Sequence, residues 1–369
     1  MSRASWRRGT GTRRDRRPDG AARRLLESRM VQPTTFPYIL IGASAGGVHA
    51  MLELVATLPP AFPAPILLVQ HIGSHRSQLA QLLSDRGANR AVEARDGEQP
   101  APGIIHVAPP DHHMLIERGR IRLTRGPKEH HARPAIDPLF RSAALDLGPR
   151  AIGVVLTGML DDGSAGLGFV RQCGGTTVVQ DPADAAEPGM PRAALAATPV
   201  DHVVPLAAMA GLLLRLARAC PPSPSPPHAA PVAASPHARM EHAVSFGDHT
   251  MQDLRTIAQP STFSCPDCGG VLFELDDRSP VRYRCHTGHA FSLLTLLASL
   301  EQMTDVALWA AVRALREKEG LLRRLAEVEG AHDREAAAGC LAEADDLART
   351  VDVFRQVMSA APSGGGIDG

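Results

Sequence analysis

Between Phe36 and Arg218 the sequence predicts an α/β domain built on a doubly wound, mainly parallel, Rossmann-like sheet, and three features carry that expectation. Short continuous apolar runs read as strands buried on both faces: Tyr38-Ile39-Leu40-Ile41, Ile66-Leu67-Leu68-Val69, Ile104-Ile105-His106-Val107, Gly153-Val154-Val155-Leu156 and Thr177-Val178-Val179. Amphipathic stretches of helical period separate them, long enough for right-handed crossovers. The first run feeds a small-residue turn, Gly42-Ala43-Ser44-Ala45-Gly46-Gly47, after which helical period resumes at His49.

Residues 1–35 are read as a disordered arginine-rich tail. The first 29 hold ten arginines against three acids, in a chain whose 39 basic and 39 acidic residues cancel. Aromatic residues are not interleaved with that charge, so no direct nucleic-acid contact is predicted. Met30, just before the folded pattern, offers an alternative translation start. The sequence has no leader-like apolar segment and no run of membrane-spanning length, and its six cysteines are too clustered for a disulfide framework. A cytoplasmic location is therefore expected. Within the domain at 36–218, Met114–Glu117 and Arg120–Leu123, joined across Arg118-Gly119, read as a hairpin at one edge of the sheet. Residues 219–260 are rich in proline and alanine and read as a linker. A small cysteine-bearing ribbon is expected at 261–292 and a pair of helices at 293–361. There Leu308, Val312, Leu315, Leu322 and Leu325 mark one apolar stripe, and a tail follows at 362–369.

In an open parallel sheet, functional groups gather where strands end at their carboxyl termini. Ser44 follows the first predicted strand, His71 the second, and Asp162 the run that ends near Leu156. A serine hydroxyl needs a hydrogen-bonded imidazole to become nucleophilic, and the imidazole needs a carboxylate to fix its tautomer. The turn around Ser44 also fits the G-x-S-x-G pattern. The backbone N–H groups of Ala45 and Gly46, and those after Gly158, are the available oxyanion donors. Taken singly, Ser44 could cap a helix, His71 could end a strand and Asp162 could cap the helix opening at Gly163-Ser164. The order serine, histidine, acid is not that of the α/β-hydrolases.

Six separated motifs give these residues a family. They are Ile41–Gly47, Val69-Gln70-His71, Ala108–Met114, Arg133–Phe140, Leu156–Gly163 and Pro188–Ala193, and together they resemble the catalytic domain of the chemotaxis protein-glutamate methylesterases, the CheB family. The resemblance implies a Ser44–His71–Asp162 triad, with Met159 at the oxyanion site and no cofactor for catalysis. It implies hydrolysis of glutamyl methyl esters on a methyl-accepting chemoreceptor or similar methylated protein, with deamidation of glutamine at the same sites. Two departures stand out. Asp161 occupies a position where the family usually has Asn, which leaves two adjacent carboxylates as partners for His71; the position relative to Gly163 favours Asp162. No phosphoacceptor domain precedes Phe36, so control by phosphorylation in cis is not expected.

Cys265-Pro266-Asp267-Cys268, sixteen residues, and then Cys285-His286-Thr287-Gly288-His289 form a zinc-ribbon pattern. Cys265, Cys268, Cys285 and His289 are the expected ligands of a structural zinc, with His286 the alternative fourth; a redox Cys-x-x-Cys is the competing reading. The ribbon resembles the C-terminal modules of receiver-less methylesterase-like proteins, and its own partner is not legible. The pairs His112-His113 and His130-His131 read as loop residues near a substrate groove rather than as metal ligands. Two further functions fit the sequence: a catalytically idle adaptor that binds through ribbon and helices, and an esterase of a small-molecule ester. The linker is expected to separate catalysis from the C-terminal module, so that a fragment of about 36–218 would work as fast as the whole chain.

Overall fold

A computed structural model describes residues 36–73, 75–219, 236–247, 250–277, 280–330 and 332–360. The arginine-rich segment 1–35, residues 220–235 and the tail at 362–369 lie outside the described residues. Strands β1 (Tyr38–Ala43), β2 (Ile66–Gln70), β3 (Arg90–Glu93) and β4 (Ile104–Val107) are followed by a hairpin, β5 (His113–Glu117) and β6 (Arg120–Thr124). Then come β7 (Ala151–Val155), β8 (Thr176–Gln180) and β9 (His202–Val204). All but the hairpin form one seven-stranded sheet in the order β3-β4-β2-β1-β7-β8-β9, with every pairing parallel. The strand order reverses at β1, so the carboxyl ends of β1, β2 and β7 meet at the switch point. The expected strands are present, and β3 and β9 extend the sheet at its two edges, where short half-exposed segments carry little apolar signal.

Alternation along β1 sends Tyr38 and Leu40 to one face and Ile39, Ile41 and Ala43 to the other. Helices α1 (Gly47–Thr57) and α2 (Leu79–Arg86) supply Met51, Leu54 and Leu83 to the second face. On the first face lie α3 (Ile136–Leu147), α4 (Ser164–Gln172) and α5 (Gly189–Ala197), with Phe140, Leu167 and Met190 among the buried side chains. Helix α6 (Leu206–Ala219) returns to α1 through Met209 and Leu213. The hairpin does not join the sheet edge as expected. It is a separate two-stranded sheet whose Met114, Ile116 and Ile121 pack into the first-face core beside α3, because its buried face must find apolar cover.

The linker expectation is corrected over its second half. Residues 236–244 form α7 (Pro236–Val244), whose Ala238 enters the main core and whose Glu241 is buried; α8 (Met251–Leu254) follows, opened by a capping box of Thr250 and Asp253. The ribbon is a four-stranded antiparallel sheet: β10 (Ala258–Ser264), β11 (Val271–Leu275), β12 (Arg282–Cys285) and β13 (Ala290–Ser292). Two long helices end the described chain, α9 (Leu293–Glu329, 37 residues) and α10 (Arg334–Ala360, 27 residues). Val312, Ala326, Ala337, Ala344 and Val351 are buried, and Ala326 rather than Leu325, which is 45% exposed, continues the stripe begun at Leu308. Small alanines along this seam let the two backbones approach closely.

Nor is the C-terminal module separate from the sheet domain. Arg141 of α3, Glu129 of the β6–α3 loop, Glu241 of α7, and Arg282 and Arg284 of β12 form a buried ion cluster. Arg141 meets Glu129 at 2.7 Å, Arg284 meets Glu129 at 3.1 Å and Glu241 at 2.7 Å, and Arg282 meets Glu241 at 2.7 Å. A buried charge that loses its partner is costly, about 3–5 kcal/mol, because no water replaces the lost counter-ion. The cluster therefore locks α7 and the ribbon onto α3. Burial alone would raise the Glu241 carboxyl, but Arg282, Arg284 and Arg141 pull it down to about 2. A depressed carboxylate stabilises the fold fully above its ordinary value of 4.5 and loses that contribution as pH falls through about 2. Glu241→Gln is expected to destabilise the full chain by about 3–5 kcal/mol at pH 7 in urea unfolding and to flatten the fall in stability below pH 4.5.

Candidate active site

Ser44 sits immediately beyond β1, in the turn that opens α1. Gly46 adopts a left-handed φ of 75° as the N-cap of α1, and the first turn of that helix carries no acid, so its positive end stays uncompensated beside the serine. Two side chains hold the turn. Gln70 Nε2 donates to the Ser44 carbonyl at 2.7 Å, and Thr157 Oγ1 donates to the Ala45 carbonyl at 3.0 Å. The Ser44 N–H itself donates to the Thr157 carbonyl. Gly158 lies so close that a Cβ there would stand 2.1 Å from Met190 Sδ and 2.9 Å from Ser44 Cβ, so any larger residue would displace the serine.

Opposite stands His71 at the end of β2, with Nδ1 3.1 Å from Ser44 Oγ and Nε2 2.6 Å from Asp162 Oδ2. With Nε2–H donating to the carboxylate, Nδ1 is left to accept the serine proton. Asp162 is 2% exposed and its oxygens also accept the N–H groups of Ile136 at 2.7 Å and Asp137 at 3.0 Å, the first two residues of α3. That helix has no side-chain cap of its own, so the carboxylate serves as one from a distant loop. Gly42 permits the approach: a Cβ there would lie 2.3 Å from Ile136 Cγ2. Burial alone would raise the Asp162 carboxyl, but the His130 charge, His71 and the Ile136 N–H outweigh it and hold it near about 2. A carboxylate so fixed can orient an imidazole and stabilise its charged form.

The neighbouring acid points elsewhere. Asp161 Oδ1 accepts Ser292 Oγ–H at 2.6 Å and Thr295 Oγ1–H at 3.1 Å, both from the start of α9. Of the remaining anticipated residues, Met159 lies on the same loop and is 60% exposed, while Ala45 and Gly46 follow the serine. The Gly158 N–H donates to the Glu187 carbonyl at 2.9 Å and is not an oxyanion donor.

One histidine of each pair departs from the expectation of groove-lining loops: the side chains of His113 and His130 are buried, whereas those of His112 and His131 are more exposed. His113 is fully buried, its Nε2–H donating to the Pro127 carbonyl at 2.9 Å while Nδ1 accepts the Ala135 N–H, and burial lowers its pKa. His130 lies between Asp137 Oδ2 at 3.1 Å and Thr295 Oγ1 at 2.9 Å, with Asp162 Oδ1 at 3.8 Å. Burial would depress this imidazole, but Asp162, Asp137 and Asp161 together raise it to about 10. His130, Asp137 and Asp162 are close enough to share a cation. Their oxygens, however, already accept His71, two N–H groups of α3 and the Gly166 N–H, which suits an ion-paired imidazolium better than a metal.

In the ribbon, one ligand atom from each of Cys265, Cys268, Cys285 and His289 lies within 4.8 Å of the others. Cys268 Sγ is 3.7 Å from Cys285 Sγ, and His289 Nδ1 is 3.5 Å from Cys285 Sγ and 3.7 Å from Cys265 Sγ. Tetrahedral zinc with Zn–S bonds of about 2.3 Å requires sulfurs about 3.8 Å apart, so this donor set fits the metal. The ring of His286 lies instead over Gly270, where a Cβ would be 2.3 Å from it.

Gln70, Thr157 and His130 belong to this architecture and were not singled out in the sequence. Gln70 and Thr157 sit at the ends of the runs that led to His71 and Asp162, a usable signal; His130 had none beyond its pairing with His131.

Residues 39–213 match the family model of the CheB methylesterase. Protein-glutamate methylesterase FrzG of Myxococcus xanthus is 40% identical over 190 residues, which are 51% of this chain and 57% of that protein, so the match spans little more than half of FrzG. A putative protein-glutamate methylesterase/protein-glutamine glutaminase of Leptospira interrogans is 41% identical over 180 residues, 48% of this chain and 93% of its own length. Among solved structures, the Thermotoga maritima CheB methylesterase catalytic domain is 32% identical and covers 49% of this chain and 98% of its own, with a TM-score of 0.47. With almost the whole length of a relative aligned at this identity, and with the parallel sheet and strand-end residues already described, the chain belongs to the CheB methylesterase family.

Proposed function

We propose that this protein is a serine hydrolase that removes methyl esters from glutamyl side chains of a methylated, chemoreceptor-like protein. The observation that carries the reading is the unbroken line Ser44 Oγ, His71 Nδ1, His71 Nε2, Asp162 Oδ2, with contacts of 3.1 and 2.6 Å. Ser44 Oγ attacks the ester carbonyl as His71 Nδ1 takes its proton. The oxyanion forms beside the turns of Ala45-Gly46 and Met159, whose N–H groups are the donors we assign. His71 then returns the proton to the departing methoxide, methanol leaves, and a glutamyl ester of Ser44 remains. Water, deprotonated by His71, hydrolyses that ester and regenerates the serine. With a glutamine substrate the same cycle releases ammonia. Asp162 stays ionised throughout and stabilises the imidazolium.

The relatives' names support this substrate class, and no helix among the described residues is long and apolar enough to cross a membrane, in keeping with a cytoplasmic enzyme. Methanol release from a methylated receptor peptide tests the reading. Ser44→Ala is expected to abolish turnover without lowering thermal stability by more than a few degrees, and Asp162→Asn to reduce kcat about 10⁴-fold through the wrong imidazole tautomer. A full chain that releases no methanol yet binds partners through α9 and α10 would instead favour the idle adaptor, and preference for small esters over the peptide would favour the small-molecule reading.

The ribbon we read as a structural zinc site, held by Cys265, Cys268, Cys285 and His289. Among the described residues the esterase unit is followed by this module. Thr287 Oγ1 lies 2.9 Å from Cys285 Sγ and would donate to the metal-bound thiolate. Elemental analysis of protein purified without chelators is expected to give about one zinc per chain, and Cys268→Ser to cut that severalfold, whereas His286→Ala leaves it unchanged.

A further inference from the structure

The β6–α3 loop is where the C-terminal module reaches the catalytic acid. The His130 N–H donates to the Ala290 carbonyl at 2.8 Å, and the Ala290 N–H returns a bond to the Lys128 carbonyl. His131 contacts Asp267 at 2.9 Å and Ser299, and its ring packs edge-on against Phe291 at 4.9 Å. His130 and His131 both hold left-handed φ values, 53° and 58°, a conformation costly for residues with a side chain and maintained here by those contacts.

Three carboxyl groups and one hydroxyl surround His130. Ser292 Oγ meets Asp161 Oδ1 at 2.6 Å, and the Thr295 hydroxyl lies 2.9 Å from His130 Nδ1 and 3.1 Å from Asp161 Oδ1; with its one proton on Asp161, Thr295 accepts from Nδ1. His130 Nε2 faces the Asp137 carboxylate and also donates. In that arrangement both ring nitrogens donate and the ring is an imidazolium, favoured against burial by Asp162, Asp137 and Asp161, while burial and the Asp162 charge push the Asp137 carboxyl upward in turn. Take that cation away and three buried carboxylates face one another, so the one bonded to His71 would turn or take up a proton.

We propose that His130 is a positioning residue for the esterase reaction, and that Thr295 of α9 and Ser292, the N-cap of that helix, hold it and Asp161 in place, so that the C-terminal module completes the active site. The module is thereby a fixed part of the catalytic machinery, in contrast to the separation expected from the sequence. The proposal rests on the esterase reading for its kinetic consequence.

Full-length His130→Gln, Thr295→Val and Thr295→Ser, assayed by methanol release from a glutamyl-methylated helical peptide, test it. His130→Gln is expected to lower kcat about tenfold to a hundredfold with KM changed less than about twofold. Thr295→Val is expected to lower it about fivefold or more, and Thr295→Ser, which keeps the hydroxyl, to restore it. A readout without substrate is the low-field proton resonance of His71 Nε2–H bonded to Asp162, expected to shift or broaden in His130→Gln and Thr295→Val and to stand unchanged in Thr295→Ser. Should His130→Gln fail to fold, the Thr295 pair decides. Folded variants with the wild-type kcat and an unmoved resonance would overturn the proposal. Wild-type protein that shows the resonance, and its loss in the variants, while releasing no methanol would uphold the positioning and refute the esterase reading.

Discussion

One buried carboxylate ties the molecule together. Asp162 is buried, and its two oxygens are satisfied by His71, by the first two N–H groups of α3 and, at longer range, by His130. Each of those partners comes from a different part of the chain: β2, α3 and the β6–α3 loop. The carboxylate thus caps a helix that lacks its own cap, fixes the histidine beside Ser44 and shares its counter-ion with α9. If its charge were lost, the cap, the imidazole orientation and the balance around His130 would weaken together.

The same economy of buried charge explains why the C-terminal half is not an appendage. Glu129 and Glu241 meet three arginines, one from α3 and two from β12, in a region closed to solvent. Such a cluster is of modest net stability beside an apolar core, but it tolerates only one arrangement. Register between ribbon and sheet domain follows from it, and so does the placement of α9 against the loop of Asp161 and Asp162. A module tethered only by residues 220–235 would need no such cluster.

What the sequence revealed follows the range of the interactions involved. Continuous β-branched runs reported the buried strands, and the position of Ser44, His71 and Asp162 after three of them reported their convergence, because parallel topology alone brings those ends together. The clustering of Cys265, Cys268, Cys285 and His289 was legible for a similar reason, since paired knuckles keep their spacing in the chain. Strands β3 and β9 were missed because edge strands carry few buried residues. Helix α7 was hidden by the proline-rich composition around it, and its burial depends on a salt link to Arg282, 41 residues away in sequence. The bond between His130 and Thr295 spans 165 residues, and neither residue has a spacing or a neighbour that announces it. Local pattern finds elements and strand ends; it cannot find a polar contact between a loop and the first turn of a distant helix brought together by tertiary packing.

Helix α9 begins at Leu293, next to Ser292, whose hydroxyl bonds the residue adjoining Asp162, and it runs 37 residues without interruption. At 1.5 Å per residue that is a stiff rod about 55 Å long, braced along its length by α10. Rooted there, the rod carries its far tip about 55 Å from the acid loop. A tilt of about 5° at the root would sweep the far tip through about 5 Å.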